Sequence, residues 1–197
     1  MTALKAVQAK VQKGWSFTKT AVTYMMVWGL IFSLVTIGKF RVAFDYDDTL
    51  VFSTPAFQKS FQTGAQAFSP QFWANANQNY DLEKPKIVTN ALAWALRIFG
   101  FRVTVLAARP PEGGEPLKKE WRRLVSKFVF ASDPKARSAA LAQGNHVLFF
   151  GDSDSDVQAG RLARVLTLRI KRSSKSIYKE DYHPGTLREF ILPLSEY

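Results

Sequence analysis

The sequence predicts an α/β fold, in which helices cover both faces of a parallel sheet to give a three-layer sandwich. An apolar helix precedes this domain in the sequence. Short apolar runs, such as residues 40–44, 102–107 and 146–150, alternate with longer stretches of helical periodicity. Strands that alternate with helices in this way form parallel sheets. Acidic residues directly follow two of the runs, where the carboxyl ends of strands bind ligands in such sheets.

The composition limits the chemistry. The chain has 197 residues, is 47% hydrophobic, contains no cysteine, and has His146 and His183 as its two histidines. This length fits one domain with a short appendage. A disulfide scaffold, a cysteine-ligated zinc site, a thiolate nucleophile and a multi-histidine metal site are excluded. The reaction must therefore depend on carboxylates, hydroxyls, lysines and arginines.

The charge is strongly basic: 27 Lys and Arg against 16 Asp and Glu give +11. A dense basic group lies late in the chain and consists of Arg161, Arg164, Arg169, Lys171, Arg172 and Lys175. It is either a solvated face or a surface that attracts phosphorylated solutes or anionic lipid. No RRM, zinc-finger or helix-turn-helix pattern is present, so we expect no specific nucleic-acid partner.

Residues 1–39 form a basic amino-terminal region with an apolar stretch. Residues 21–38 carry no charge, and as a helix they would span about 27 Å of a hydrocarbon core of about 30 Å. Three interpretations stay open: a single membrane span, a cleaved signal peptide, or a helix buried in the fold or in a homo-oligomer. The four lysines before the stretch favour a cytoplasmic amino terminus and a domain on the outer side, which for a span of a bacterial inner membrane is the periplasm.

We expect residues 40–197 to form the folded domain. The apolar runs predict strands, and Pro85 and Gly100 mark the ends of a predicted helix. Residues 51–84 show neither helical nor strand periodicity and predict a small cap-like insert over one end of the sheet. The predicted strands are 40–44, 102–107, 127–131, 146–150 and 165–170, and the predicted helices are 85–99, 117–125, 134–141 and 154–163.

Two acidic segments carry the predicted site, Asp45–Thr49 after the first strand and Gly151–Asp156 after residues 146–150. Each alone is typical of a helix start. Together they would raise one another's pKa unless a cation compensates them, and Mg²⁺ prefers such oxygen ligands. An EF-hand is excluded, because Val157 and Ala163 stand where its loop needs glycine and glutamate.

The motifs FDYDDTL, FSTPAF, SPQFW, AARP, FFGDSDSD, SIYK and SEY resemble those of the haloacid dehalogenase superfamily, and within it those of the class B nonspecific acid phosphatases, which are secreted bacterial enzymes. The resemblance runs from about residue 40 to the last residue. It implies a Rossmann-like fold and Mg²⁺-dependent hydrolysis of phosphomonoesters, nucleotides or aryl phosphates among them, through an aspartyl-phosphate.

The resemblance also implies roles for individual residues. Asp45 would be the nucleophile, and Asp47 the acid that protonates the leaving alcohol and then the base that activates water. The implied metal ligands are Asp45, the Asp47 carbonyl, Asp152 and Asp156. The implied phosphate-binding residues are Thr49, Arg109, Lys135 and Arg137, and the implied substrate lid is Phe57, Trp73 and Tyr178.

Two positions depart from the family pattern. Ala107 stands where a threonine or serine normally donates to the phosphoryl group. The lysine of the third motif falls on Arg137, with Lys135 two residues away. The alternative function is therefore a catalytically weakened, membrane-anchored component of an envelope assembly that binds phosphate or a protein partner.

Overall fold

The computed structural model describes residues 15, 18–31, 35, 39–177 and 180–197. The chain divides into two units, Met1–Gly38 and Lys39–Tyr197.

In the first unit, residues 18–31 are helical (α1), and all of them are exposed. Within the described ranges, no helix combines the length and the apolar character that a membrane crossing needs. The predicted membrane helix over residues 21–38 is therefore unsupported, and residues 32–34 and 36–38 of it lie outside the described residues. The periplasmic orientation that followed from it stays a prediction.

The second unit contains a six-stranded sheet of order β5-β4-β1-β6-β7-β8, in which each neighbouring pair is parallel. Its strands are β1 (Arg41–Asp45), β4 (Arg102–Ala107), β5 (Lys127–Phe130), β6 (His146–Gly151), β7 (Leu166–Arg169) and β8 (Phe190–Ile191). A separate antiparallel pair joins β2 (Val51–Phe52) to β3 (Lys84–Pro85). The α/β class with a parallel sheet is as predicted.

The helices are α2 (Thr54–Phe61), α3 (Pro70–Gln78), α4 (Ile87–Ile98), α5 (Glu115–Trp121), α6 (Pro134–Gln143) and α7 (Asp154–Leu162), with a 3₁₀ turn at Tyr80–Leu82. Proline begins α3 and α6 after capping residues Ser69 and Asp133, which suits a position whose N–H has no helical partner. The stretch 51–84, predicted as an insert, contains α2, α3 and the 3₁₀ turn, and the β2–β3 pair closes it at its base.

The core has two parts because the sheet is covered on both faces. Val42 and Phe44 of β1 belong to one buried cluster, and Ala43 between them belongs to another. In β6, Phe150 and Phe149 divide in the same way. Side chains alternate between the faces of a strand, so both faces of the central strands are buried, as in the predicted three layers.

Element boundaries differ from the predicted ones by a few residues. Strand 102–107 is as predicted, whereas α5 ends at Trp121 rather than at residue 125. Leu124 and Val125 both donate to the Trp121 carbonyl, which closes a turn there. The two-residue strand β8 has no signal in the sequence.

Candidate active site

The two acidic segments meet at one edge of the sheet. Strands β1 and β6 are neighbours, with Phe44 opposite Phe150, so Asp45 ends one strand beside the Gly151 end of the other. One carboxylate oxygen from each of Asp45, Asp152 and Asp156 lies within 4.8 Å of the other two, and all three residues are buried. The structure thus brings together three of the predicted metal ligands.

Local sequence fixes Asp156 at this edge. The Ser153 hydroxyl accepts from the Asp156 N–H at 3.1 Å, and the Asp156 carboxylate accepts from the Ser153 N–H at 3.1 Å, which is a reciprocal capping box at the start of α7. A side chain at Gly151 would place its Cβ 2.5 Å from the Asp156 Cβ and Cγ. Glycine at this position therefore lets the strand end approach the carboxylate.

The electrostatics of this cluster favour a cation. Burial raises the pKa of Asp45 well above its ordinary value, and the carboxylates of Asp156 and Asp152 raise it further against the effect of Arg137. Burial, with Asp156 and Asp48, likewise raises the pKa of Asp152 to about 8, although Arg172 opposes this. Asp45 Oδ1 is buried and has no hydrogen-bond partner within the described part of the chain. Three converging carboxylates, one of which has an oxygen without a hydrogen-bond partner among the described residues, fit a hard divalent ion.

Arg137, rather than Lys135, lies beside these carboxylates. Its guanidinium is fully buried and forms a salt bridge with Asp156, while it donates to Ser155 Oγ at 3.1 Å. Lys135 is exposed on the same helix. Of the two candidates for the third motif, only Arg137 reaches the site in this structure.

Asp47 points to a second buried network instead of the carboxylate cluster. Ser53 Oγ donates to Asp47 Oδ1 at 2.5 Å. Arg109 donates from Nε to Asp47 Oδ2 at 2.9 Å and from Nη2 to Oδ1 at 2.5 Å. The same Nη2 donates to Glu83 Oε1 at 2.5 Å, and Nη1 donates to Asn77 Oδ1 at 3.3 Å. The guanidinium predicted to bind phosphate is thus held by protein groups on both of its edges.

Thr49 is also committed to a protein contact, because its hydroxyl donates to Asp152 Oδ1 at 3.3 Å. Its predicted phosphate-binding role, like that of Arg109, stays a prediction.

The predicted lid is partly described. Phe57 and Trp73 are buried and pack edge to face with ring centroids 5.8 Å apart, within an aromatic cluster that includes Phe72. The Arg109 guanidinium lies 5.1 Å from the Phe57 ring centroid. Tyr178 lies outside the described residues.

The basic group late in the chain is not a uniformly solvated face. Arg169 is fully buried, and it donates to Asp154 at 2.7 Å, to Glu189 at 2.9 Å and to the Asp152 carbonyl at 2.6 Å. Arg172 donates from Nε to Asp152 Oδ2 at 2.5 Å. For these two arginines the prediction of a solvated face is wrong, because each compensates a carboxylate of the site segment.

Lys86 is a further site residue that the sequence did not predict. It is buried, and its ammonium donates to the carbonyls of Asp48 and Lys171, each at 2.7 Å. Burial lowers its pKa to about 8, despite the nearby carboxylates of Asp152 and Asp48. Lys86 thereby ties the loop after β1 to the segment after β7. A lysine beside a proline, next to the base of an insert, gives no sequence signal for this contact.

Known proteins are similar to this chain over most of its length. The chain is 30% identical over 172 residues to a class B acid phosphatase of Klebsiella pneumoniae, covering 79% of this chain and 73% of that protein. It is 31% identical over 173 residues to a class B acid phosphatase of Edwardsiella ictaluri, covering 79% and 72%. No protein-family model matches the sequence.

Solved structures share the fold at low identity. A crystal structure described as a predicted phosphoglycolate phosphatase from Haemophilus somnus superposes with a TM-score of 0.56 at 15% identity, covering 78% of this chain and 93% of that one. A haloacid dehalogenase-like hydrolase from Bacteroides fragilis superposes with a TM-score of 0.50 at 14% identity, covering 77% and 96%. The architecture is therefore that of haloacid dehalogenase-type hydrolases.

Proposed function

Because this chain belongs to the class B acid phosphatases of the haloacid dehalogenase superfamily and is a phosphatase, we propose that it hydrolyses small phosphomonoesters through a phosphorylated Asp45, with Mg²⁺ as cofactor. The observation that supports this most strongly is the buried cluster of Asp45, Asp152 and Asp156, in which one oxygen from each residue lies within 4.8 Å of the other two.

In the first step, an oxygen of Asp45 attacks the phosphorus atom, and the bond from phosphorus to the leaving oxygen breaks. Asp45 Oδ1, which is buried and has no hydrogen-bond partner among the residues that the structure describes, is the atom suited to this attack. Mg²⁺ held by Asp45, Asp152 and Asp156 would neutralise charge between the carboxylate and the incoming phosphate. Arg137, buried against Asp156, adds a fixed positive charge at the same place.

Asp47 carries the proton in both steps. Its protonated carboxyl gives a proton to the leaving alcohol oxygen, and its carboxylate then takes a proton from water, whose oxygen attacks phosphorus and breaks the bond to Asp45. Ser53 and Arg109 hold the Asp47 carboxyl in one orientation, which is what a group that serves as acid and then base requires.

The alternative of a catalytically weakened component is not favoured. Ala107, the feature behind it, is buried at the end of β4, where it pairs with Phe130. Alanine at this position lacks the hydroxyl donor of the family pattern, but the carboxylate cluster and Arg137 remain in place. We therefore expect turnover despite this substitution.

The test is hydrolysis of p-nitrophenyl phosphate by the purified chain with Mg²⁺ and with EDTA. We expect turnover that EDTA removes, and a loss of about 10³-fold or more in kcat for Asp45→Asn. Asp81→Asn is the matched control, since Asp81 is exposed. Full activity of Asp45→Asn, or turnover that is insensitive to EDTA, would contradict the proposal.

A further inference from the structure

Glu83 belongs to the insert and not to the strands that carry the acidic segments. Its carboxylate nevertheless lies in the buried network of Asp47 and Arg109. It follows the 3₁₀ turn Tyr80–Leu82, and its N–H donates to the Tyr80 carbonyl at 3.1 Å. Its side chain is almost fully buried. No step of the proposed mechanism uses it.

Both oxygens of Glu83 are occupied. Oε1 accepts from Arg109 Nη2 at 2.5 Å, and Oε2 accepts from the Tyr46 hydroxyl. Tyr46 lies between Asp45 and Asp47 in sequence, and the Arg109 guanidinium lies 5.0 Å from its ring centroid. The carboxylate is therefore fixed by two groups of the site rather than by solvent.

Arg109 is a buried cation between two buried carboxylates. Asp47 contacts Nε and Nη2, and Glu83 also contacts Nη2. Without Glu83, the guanidinium would keep a single charged partner and could turn about its side chain. A guanidinium that is held by Glu83 as well as by Asp47 keeps a single orientation, and it therefore fixes the orientation of the Asp47 carboxyl.

We propose that Glu83 is a positioning residue for Asp47, acting through Arg109 to hold the carboxyl that exchanges the proton with the leaving oxygen. This inference rests on the proposed function, because it needs Asp47 as the acid. Glu83 does not touch the substrate and takes up no proton in the reaction. In the first step its effect is confined to esters whose leaving oxygen needs a proton; the later hydrolysis of the phosphorylated enzyme, which also uses Asp47, is common to all esters and does not enter kcat/KM.

Leaving groups of different basicity separate this role from a structural one. The p-nitrophenolate anion departs without a proton, whereas an alkoxide such as that of glycerol 2-phosphate needs one in the transition state. General acid catalysis contributes typically about 10²–10⁴-fold to such a step. In the first step, a residue that positions the acid therefore affects the alkyl ester and spares the aryl ester.

The experiment measures kcat and KM of the full chain and of Glu83→Gln on p-nitrophenyl phosphate and on glycerol 2-phosphate. Glutamine keeps the shape and one acceptor but loses the charge. We expect kcat/KM on glycerol 2-phosphate to fall about 10²-fold, and kcat/KM on p-nitrophenyl phosphate to stay within about 3-fold. Glu120→Gln is the matched control, since Glu120 is exposed.

Tyr46→Phe supplies a second test, which stands if Glu83→Gln fails to fold. It removes the hydroxyl that holds Glu83 Oε2, and we expect the same selective loss on glycerol 2-phosphate with a smaller amplitude. An equal loss of kcat/KM on both esters, or no loss on either, overturns the inference. Absence of wild-type turnover on both esters overturns the proposed function and the inference with it.

Discussion

Arg137 and Lys135 lie two residues apart on α6, yet they differ fully in burial. Arg137 is buried against Asp156 and also donates to Ser155, while Lys135 is exposed. The loss of a buried partner leaves a carboxylate without its countercharge, which costs more than the loss of a surface lysine.

We predict that Arg137→Met lowers kcat for p-nitrophenyl phosphate by at least about 10²-fold, because a fixed charge beside the reacting carboxylate is lost. Lys135→Met should stay within about 2-fold of wild type, since a solvated lysine contributes little. Steady-state kinetics at saturating Mg²⁺ measure both variants. A larger loss for Lys135→Met than for Arg137→Met would contradict the assignment.

Site residues were predictable where they lie next to a strand in sequence. Asp45 and Asp152 follow apolar runs directly, so their convergence at one sheet edge follows from parallel pairing. Glu83 contacts Arg109, which is 26 residues away in the sequence, and Arg172 contacts Asp152, which is 20 residues away. A polar residue in an irregular segment has no periodicity, so only the folded chain shows its partner.

At the scale of elements, close packing between β6 and α7 decides the geometry of the site. Gly151 ends β6 under the Asp156 side chain. Any Cβ there would have to displace Asp156, because the contact would be 2.5 Å. The position of the predicted metal ligand Asp156 therefore depends on glycine at the end of β6.

We predict that Gly151→Ala weakens Mg²⁺ binding and lowers kcat by about 10-fold or more, because ligand displacement of even 1 Å is costly. Calorimetric titration with Mg²⁺ and phosphatase assays measure the two effects. Gly29→Ala is the control, since a Cβ at Gly29 meets nothing within 4 Å. Unchanged Mg²⁺ affinity in Gly151→Ala would contradict this dependence.

The strands of the sheet were predictable because both of its faces are buried, which makes the central strands continuous apolar runs. The elements of residues 51–84 were not, since α2 and α3 bury only part of a polar, aromatic stretch. The pair β2–β3 has two residues a strand, too short for any period to show. Strand β8 is equally short, and both of its residues are exposed.

Across the whole molecule, buried carboxyl groups link stability to pH. Burial, as the largest cause, raises the pKa of Asp48 to about 6, of Glu83 to about 7 and of Asp152 to about 8. A raised pKa in the folded state means that folding binds protons between the unfolded value, near 4, and these values. Stability contributed by these groups is therefore present at acidic pH and is lost as pH rises.

We predict that the free energy of unfolding in EDTA is about 2 kcal/mol or more higher at pH 5 than at pH 8. Mg²⁺ should reduce this difference, because a cation compensates the ionised Asp152. Urea unfolding at both pH values, with EDTA and with Mg²⁺, measures it. Stability that rises from pH 5 to pH 8 in EDTA would contradict the assignment of these buried groups.

The most direct measurement is chemical trapping of the phosphorylated residue. The chain is quenched during turnover of p-nitrophenyl phosphate, and borohydride then reduces an acyl phosphate to an alcohol. Peptide mass spectrometry is expected to find homoserine in place of Asp45. Homoserine at another aspartate, or an unmodified Asp45 in a preparation with sustained turnover, would contradict the account.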